Sequence, residues 1–176
     1  MILAGIDPGL SGAIAFLSTE GECATFDMPI YRLLRGGKNK GEIDPHALAQ
    51  LLRDRCPGHA FVEGMRAMPG QGVTSMFALG KGYGIILGVL AAVGVPYTVI
   101  DARKWKRALA APAEKDGARA RASQLLPAAA GQWPLKKNDG RAEAALIAFY
   151  GIRAFNEIGE APGVRRSVLA LTETAP

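Results

Sequence analysis

The sequence predicts an α/β domain with a mixed central sheet and flanking helices. Three short apolar segments follow one another at the N-terminus, which predicts a three-stranded antiparallel meander. After the meander, further strand-like segments alternate with helical ones. The length of 176 residues is typical of one domain that buries a substantial core.

The meander begins with ILAGID, residues 2–7, whose apolar run predicts a buried strand. GAIAFLS, residues 12–18, is the expected hairpin partner, and residues 22–28 are a third strand. The next segment, residues 31–41, holds four positive charges and three glycines. We expect that segment to be a basic, mobile loop.

A helix follows, with Asp44 as the expected N-cap, Pro45 at the first helical position and its end near Arg55. HAFVE, residues 59–63, is the next predicted strand and ends in a carboxylate. The segment GMRAMPGQG, residues 64–72, predicts an irregular connection because of its glycines and proline.

A long helix is expected over residues 73–93, in which Gly80, Gly84 and Gly88 recur every four residues and therefore share one face. Each glycine costs roughly 1 kcal/mol of helix stability relative to alanine. Such a smooth face permits close approach either to the sheet or to a second subunit, and the sequence leaves both alternatives open.

The remaining predicted elements are one strand, a basic helix and two further helices, at residues 95–101, 102–110, 117–126 and 139–156. This order of elements matches the ribonuclease H-like fold. We expect one ribonuclease H-like domain over residues 1–158 and a loosely ordered C-terminal tail over residues 159–176.

Composition indicates a soluble globular chain, with 49% hydrophobic and 21% charged residues. Two cysteines are too few for a disulfide framework, so a reducing compartment is expected. The N-terminus lacks the basic start of a signal peptide, and the most apolar run, residues 85–95, is too short to span a bilayer. We therefore expect a cytoplasmic location and no membrane partner.

The net charge of +5 is unevenly distributed along the chain. Residues 102–141 contain ten basic and three acidic residues, a local net charge of +7. A basic segment beside isolated carboxylates favours a polyanion such as nucleic acid as partner. The alternative is a solvated basic helix face.

Four acidic residues differ from ordinary surface charges by their positions. Asp7 and Glu63 each end a predicted strand, and Asp139 and Glu143 lie four apart on one face of the last helix. A cluster of four carboxylates needs cations, and oxygen-only ligands favour Mg²⁺ or Mn²⁺ over Zn²⁺. The alternatives are a turn-opening role for Asp7, helix capping by Asp139 and a helix-dipole interaction of Glu143.

The chain resembles the RuvC-type Holliday junction resolvases, especially their shorter bacteriophage relatives. The motifs that carry the resemblance are GIDPGLSGAIAF, FVEGM and DGRAEAALIA, and the likeness covers roughly residues 1–155. It implies a homodimer in a bacterial or phage-infected cell that cuts four-way junctions by paired symmetric nicks, leaving 5′-phosphates. It also implies that Asp7, Glu63, Asp139 and Glu143 hold two catalytic Mg²⁺ ions, for which Mn²⁺ substitutes. The bacterial enzymes usually space the last two acids three apart rather than four.

The resemblance further implies that Lys106 and Lys115 lie near the scissile phosphate, although both could be ordinary surface lysines. In this family the loop after the second acid carries a side chain, often aromatic, that probes the junction. Here that loop offers Met65, Arg66 and Met68, of which Arg66 is the candidate for stacking on a base.

Other basic residues are expected to contact DNA phosphates, and these are Arg35, Lys38, Lys40, Arg66, Lys81, Arg103, Lys104, Arg107, Arg119, Lys136 and Lys137. Three other functions compete with a junction resolvase. An actin-like ATPase has a similar first loop but needs two lobes, whereas this length holds one. A non-catalytic junction-binding protein would not need all four acids. The third alternative is a nuclease with broader branched-DNA specificity.

Overall fold

The structure is a computed structural model that describes residues 1–35, 38–66, 70–112 and 114–158. The described strands are β1 Ile2–Asp7, β2 Ala13–Ser18, β3 Cys23–Asp27, β4 Ile30–Arg35, β5 Lys38–Ile43, β6 His59–Glu63 and β7 Tyr97–Ile100. The α-helices are α1 Pro45–Arg55, α2 Val73–Ala92, α3 Ala102–Ala108, α4 Lys115–Leu125 and α5 Asp139–Ile158. Two 3₁₀ helices, which we did not predict, cover Pro127–Gln132 and Lys136–Asn138. The predicted tail, residues 159–176, lies outside the described residues.

The central sheet has five strands in the order β3-β2-β1-β6-β7. β1, β2 and β3 pair antiparallel, whereas β1, β6 and β7 pair parallel. The mixed sheet and its N-terminal meander are therefore confirmed. The parallel strands end at the same edge, which is where ligand sites form in many α/β proteins.

Two hydrophobic cores cover the two faces of this sheet. Leu3 of β1 and Phe61 of β6 pack in the core that includes α5, while Ile6 and Val62 pack in the core that includes α1 and α2. Because successive side chains of a strand alternate between faces, the last residues of β1 and β6 are on the α5 side. This alternation directs Asp7 and Glu63 toward α5.

Helix α5 crosses β1 at very short distance because β1 has a glycine at the crossing. A Cβ atom on Gly5 would overlap the backbone of Ala144 and Ala148. At the start of α5, a Cβ atom on Gly140 would lie 2.7 Å from the carbonyl oxygen of Ser11. The first turn of α5 therefore abuts the turn that follows Asp7.

The prediction of a loop over residues 31–41 is wrong. β4 and β5 form a separate two-stranded antiparallel sheet with six residue pairs, from Ile30↔Ile43 to Arg35↔Lys38. Tyr31 and the flanking Ile30 and Ile43 favour strands, and Gly-Gly between two extended segments is a hairpin signal that the charges obscured. Residues 36–37 themselves lie outside the described residues.

Most other elements agree with prediction. Asp44 caps α1 by accepting hydrogen bonds from the backbone N–H groups of His46 and Ala47, each at 3.0 Å. β7 is shorter than the predicted strand, and α4 begins two residues earlier than expected. Both cysteines are free thiols, and burial raises the pKa of Cys23 to about 11.

Helix α2 does not turn its glycine repeat toward the sheet. Cβ atoms on Gly80, Gly84 and Gly88 would meet open space, whereas Ile86 and Leu90 are fully buried in the core shared with α1. Packing against the sheet, one of the two alternatives for this repeat, is therefore wrong. By length and composition alone α2 could cross a membrane, although its buried residues attach it to the domain.

Candidate active site

The carboxyl edge of the parallel strands brings two of the four acids side by side. Ile6 of β1 is paired with Val62 of β6, so Asp7 and Glu63 follow at equivalent positions on neighbouring strands. Both side chains are partly buried. The predicted placement of these two acids on one sheet edge is confirmed.

Helix α5 supplies the other two acids at its N-terminal end. Asp139 is its first residue and is buried, and Glu143 is partly buried one turn later. Asp139 has helical backbone angles, φ −53° and ψ −45°. The extended backbone typical of an N-cap is therefore absent at Asp139, which argues against the capping alternative.

Glu63 lies within the electrostatic influence of Glu143. Burial, and then the charge of Glu143, raise the pKa of Glu63. The negative charge of Glu143 opposes ionisation of Glu63, and a divalent cation bound between them would remove this repulsion. All of the available donors are carboxylate oxygens. The donor chemistry therefore fits Mg²⁺ or Mn²⁺. Among the described residues, however, no group of three or more Asp, Glu, His or Cys side chains lies close enough together to bind one metal ion.

Two of the carboxylates are instead engaged by helix α3. Lys106 Nζ lies 2.7 Å from Glu143 Oε1, so this lysine is beside one of the acids, while its expected contact with the scissile phosphate stays a prediction. Trp105 Nε1 donates a hydrogen bond to Glu63 Oε2 at 3.1 Å. The side chain of Lys115, at the start of α4, lies outside the described residues, so its role stays a prediction.

Trp105 is a site residue that sequence reasoning missed. Within ARKWK only the second lysine was expected at the site, near the scissile phosphate, although a tryptophan in an otherwise charged helix indicates a buried anchor. The signal was therefore present in the sequence, but the identity of its partner depended on the fold.

Asp101 is a second missed residue and a fifth carboxylate at this edge. It caps α3 by accepting from Arg103 N at 2.9 Å, and its Oδ2 pairs with Arg66 Nη2 at 2.7 Å. The Arg103 N–H, followed by the charge of Arg66, lowers the pKa of Asp101. Like Asp7 and Glu63, Asp101 is the last residue of a predicted strand, and this position could have identified it.

The candidate for probing the junction, Arg66, has a side chain that is 71% exposed and paired with Asp101. Met65 is partly buried and lines a small open cleft together with Arg66 and Tyr83. Met68 lies outside the described residues. The pair with Asp101 gives Arg66 a defined position near the acids.

The other basic residues occupy two kinds of environment. Arg119 is only 20% exposed and faces inward, 3.7 Å from Asp139 Oδ1, and it also pairs with Asp116. Lys81 pairs with Glu42 of the hairpin. The side chains of Arg35 and Lys38 lie outside the described residues. The exposed members of the set are Lys40, Lys81, Arg103, Lys104, Arg107, Lys136 and Lys137.

Comparison with known proteins places this geometry in context. No protein-family model matches the chain, and no curated protein matches it by sequence. The structure is similar to that of Thermus thermophilus RuvC, with a TM-score of 0.60 and 18% sequence identity over 92% of this chain and 98% of that one. It is also similar to T. thermophilus RuvC in complex with Holliday junction substrate, with a TM-score of 0.62, the same identity and the same coverage.

The coverage of both chains is nearly complete, so the similarity extends over the central sheet and the helices on both of its faces. At this identity it concerns the fold. The resemblance inferred from three short sequence motifs is thus matched by the arrangement of the elements that carry them. The chain has the ribonuclease H-like fold of the RuvC Holliday junction resolvases.

Proposed function

We propose that this protein is a metal-dependent, structure-selective endonuclease that resolves four-way DNA junctions by paired symmetric nicks. The observation that carries the proposal is the placement of four acids: Asp7 and Glu63 end neighbouring parallel strands, and Asp139 and Glu143 lie at the start of α5, whose first turn abuts the turn after Asp7. It is supported by similarity to a RuvC structure that holds a Holliday junction substrate. Each nick would leave a 5′-phosphate and a 3′-hydroxyl.

The four acids would hold two divalent cations, Mg²⁺ or Mn²⁺, and these would supply activation of the attacking water and stabilisation of the leaving oxygen. The chain's own contribution is to fix the acids on rigid elements and to surround them with ordered donors. Lys106 brings a positive charge to the edge of this cluster. We propose that it also contacts the scissile phosphate, and we propose the same for Lys115.

Exposed basic residues border the acids and would hold the arms of the junction. Arg103, Lys104 and Arg107 project from α3, which follows β7 directly at the active edge. Lys136 and Lys137 precede Asp139. Contacts of this kind bind phosphates without reading sequence, so affinity should fall steeply with salt.

Two symmetric cuts require two active sites, and we propose that a homodimer supplies them through α2. The support is an apolar helix face that the domain leaves uncovered. Val73 and Phe77, in the first turns of α2, are 81% and 74% exposed. The glycine repeat follows them on the same helix and ends at Gly88.

Cleavage of labelled DNA tests this function against its rivals. Wild-type protein with Mg²⁺ should cut a four-way junction and leave nicked duplex and flap substrates largely intact. Asp7→Asn keeps the side-chain size but removes a ligand charge, so it should bind the junction without cutting it. Asp54→Asn, at an exposed position on α1, is the matched control and should cut normally.

The outcomes separate the alternatives. Binding without cleavage by the wild-type protein would identify a junction-binding protein. Equal cleavage of flaps would identify a nuclease of broader branched-DNA specificity. Near-normal cutting by Asp7→Asn would remove Asp7 from the site.

A further inference from the structure

Trp105 is a buried core residue whose indole N–H donates a hydrogen bond to one of the candidate metal-binding acids. Its side chain is fully buried in the core between the sheet and α5, with 0% exposure. Its indole N–H is directed at Oε2 of Glu63, 3.1 Å away. A buried tryptophan N–H needs an acceptor, but a backbone or hydroxyl oxygen serves that purpose as well as a carboxylate does.

The other tryptophan shows this alternative. Trp133 is 2% exposed in the same core, and its Nε1 donates to the hydroxyl of Ser123 at 3.0 Å. The two tryptophans therefore have similar burial and similar hydrogen-bond lengths. They differ in their acceptor, because only Trp105 donates to one of the four candidate metal-binding acids.

Helix α3 holds Trp105 in a fixed orientation. Asp101 caps the N-terminus of the helix, and the side chains of Trp105 and Leu109 are buried in the core beneath it. The next residue, Lys106, reaches Glu143 and lies with its Nζ 5.1 Å from the centre of the Trp105 ring. One short helix thus engages an acid from β6 and an acid from α5.

We propose that Trp105 is a positioning residue for Glu63, which sets the orientation of this carboxylate for a divalent cation. The inference rests on the proposed function, since it assumes that Glu63 is a metal ligand. An indole held by core packing and donating to one carboxylate oxygen restricts rotation of the carboxylate. Hydrogen bonds of this kind to metal ligands typically change metal affinity or activity by about 10- to 100-fold.

The two tryptophans, which are the only ones in the chain, allow a matched experiment. Trp105→Phe and Trp133→Phe each remove one buried indole hydrogen bond from the same core. Two properties are measured for each variant: the Mg²⁺ concentration for half-maximal junction cleavage, and the rise in melting temperature with Mg²⁺ in the absence of DNA. Trp105→Phe should require about 10- to 100-fold more Mg²⁺ in both measurements. Trp133→Phe should lose thermal stability but keep the wild-type Mg²⁺ dependence.

Fluorescence provides a measurement that does not need the Trp105 variant to fold. In Trp133→Phe the sole tryptophan is Trp105, so its emission should change as Mg²⁺ is added. The half-saturation of that change should match the one found by melting. Emission that stays constant through saturating Mg²⁺ would overturn the inference, as would a Trp105→Phe protein with wild-type Mg²⁺ dependence.

Failure of the inference differs from failure of the proposed function. If wild-type protein neither cleaves junctions nor is stabilised by Mg²⁺, the proposed function falls and the role of Trp105 falls with it. If the wild-type protein does both while Trp105→Phe behaves like Trp133→Phe, only the role of Trp105 is overturned.

Discussion

Glu63 lies at a position where a negative charge is unfavourable to folding. Burial and the nearby charge of Glu143 both raise its pKa, while the hydrogen bond from Trp105 and the charge of Lys106 act in the opposite direction. An acid with a raised pKa destabilises the folded state once the pH exceeds the ordinary pKa of a glutamate, 4.5. Below that value both folded and unfolded forms are protonated, and the destabilisation disappears.

We therefore expect Glu63→Gln to melt at a higher temperature than the wild-type protein at pH 7.5 in EDTA. Glutamine keeps an acceptor for Trp105 but carries no charge. The gain should vanish near pH 4. Thermal melting at both pH values checks this, with Glu114→Gln, at an exposed position, as control. A lower melting temperature for Glu63→Gln at pH 7.5 would contradict the expected sign.

The two acids of α5 allow a separate prediction about metal binding. If Asp139 and Glu143 hold cations, then Asp139→Asn and Glu143→Gln should each raise the Mg²⁺ concentration needed for half-maximal cleavage. Loss of one ligand costs a few kcal/mol, or about two to three decades in rate. Cleavage against Mg²⁺, measured beside thermal melting, separates metal binding from stability. An unchanged Mg²⁺ dependence in Asp139→Asn would leave three carboxylates at the site.

At the level of elements, the crossing of α5 over β1 decides where Asp139 and Glu143 lie. Gly5→Ala would place a methyl group into the backbone of α5. Overpacking of this kind costs about 1–3 kcal/mol or more, and here it also displaces the helix that carries two acids. We expect Gly5→Ala to lower both the melting temperature and the rate of junction cleavage.

A matched control is Gly131→Ala, because a Cβ atom at this exposed position also meets nothing within 4 Å. It should leave both properties close to wild type. Normal cleavage by Gly5→Ala at a temperature where it is folded would mean that the contact with β1 does not set the position of the acids.

For the whole molecule, the exposed face of α2 predicts dimerisation. Gly84→Leu should shift the sedimentation coefficient toward that of a monomer and uncouple the two incisions of a junction. Gly84→Ala is the control. Like leucine, alanine has a higher helix propensity than glycine, but it adds only one methyl group to the helix face. It should disturb the dimer less than leucine does.

Two results would contradict a dimer through α2. One is wild-type protein that sediments as a monomer even on junction DNA. The other is a Gly84→Leu protein that remains dimeric, which would place the contact elsewhere. Association that appears only with lipid vesicles would instead indicate a membrane-bound role for this apolar helix.

Local sequence patterns determined most of the elements. Apolar runs defined β1, β2 and β6, and Asp44 with Pro45 defined the start of α1, because capping and strand burial depend on neighbouring residues. The same local reasoning failed for β4 and β5. The charged residues and glycines of this segment are typical of a loop. The two strands form because they pair with each other, and that pairing depends on contacts between residues that are apart in the sequence.

The candidate site divides in the same way. The sequence by itself determined that Asp7 and Glu63 end strands and that Asp139 and Glu143 share a helix face, since these properties follow from the strand and helix periods. Only the tertiary structure decided that Trp105 binds Glu63, that Lys106 binds Glu143 and that Arg119 turns inward. Those contacts join segments far apart in the chain. Their partners are set by how α3, α4 and α5 pack on the sheet, which no local pattern specifies.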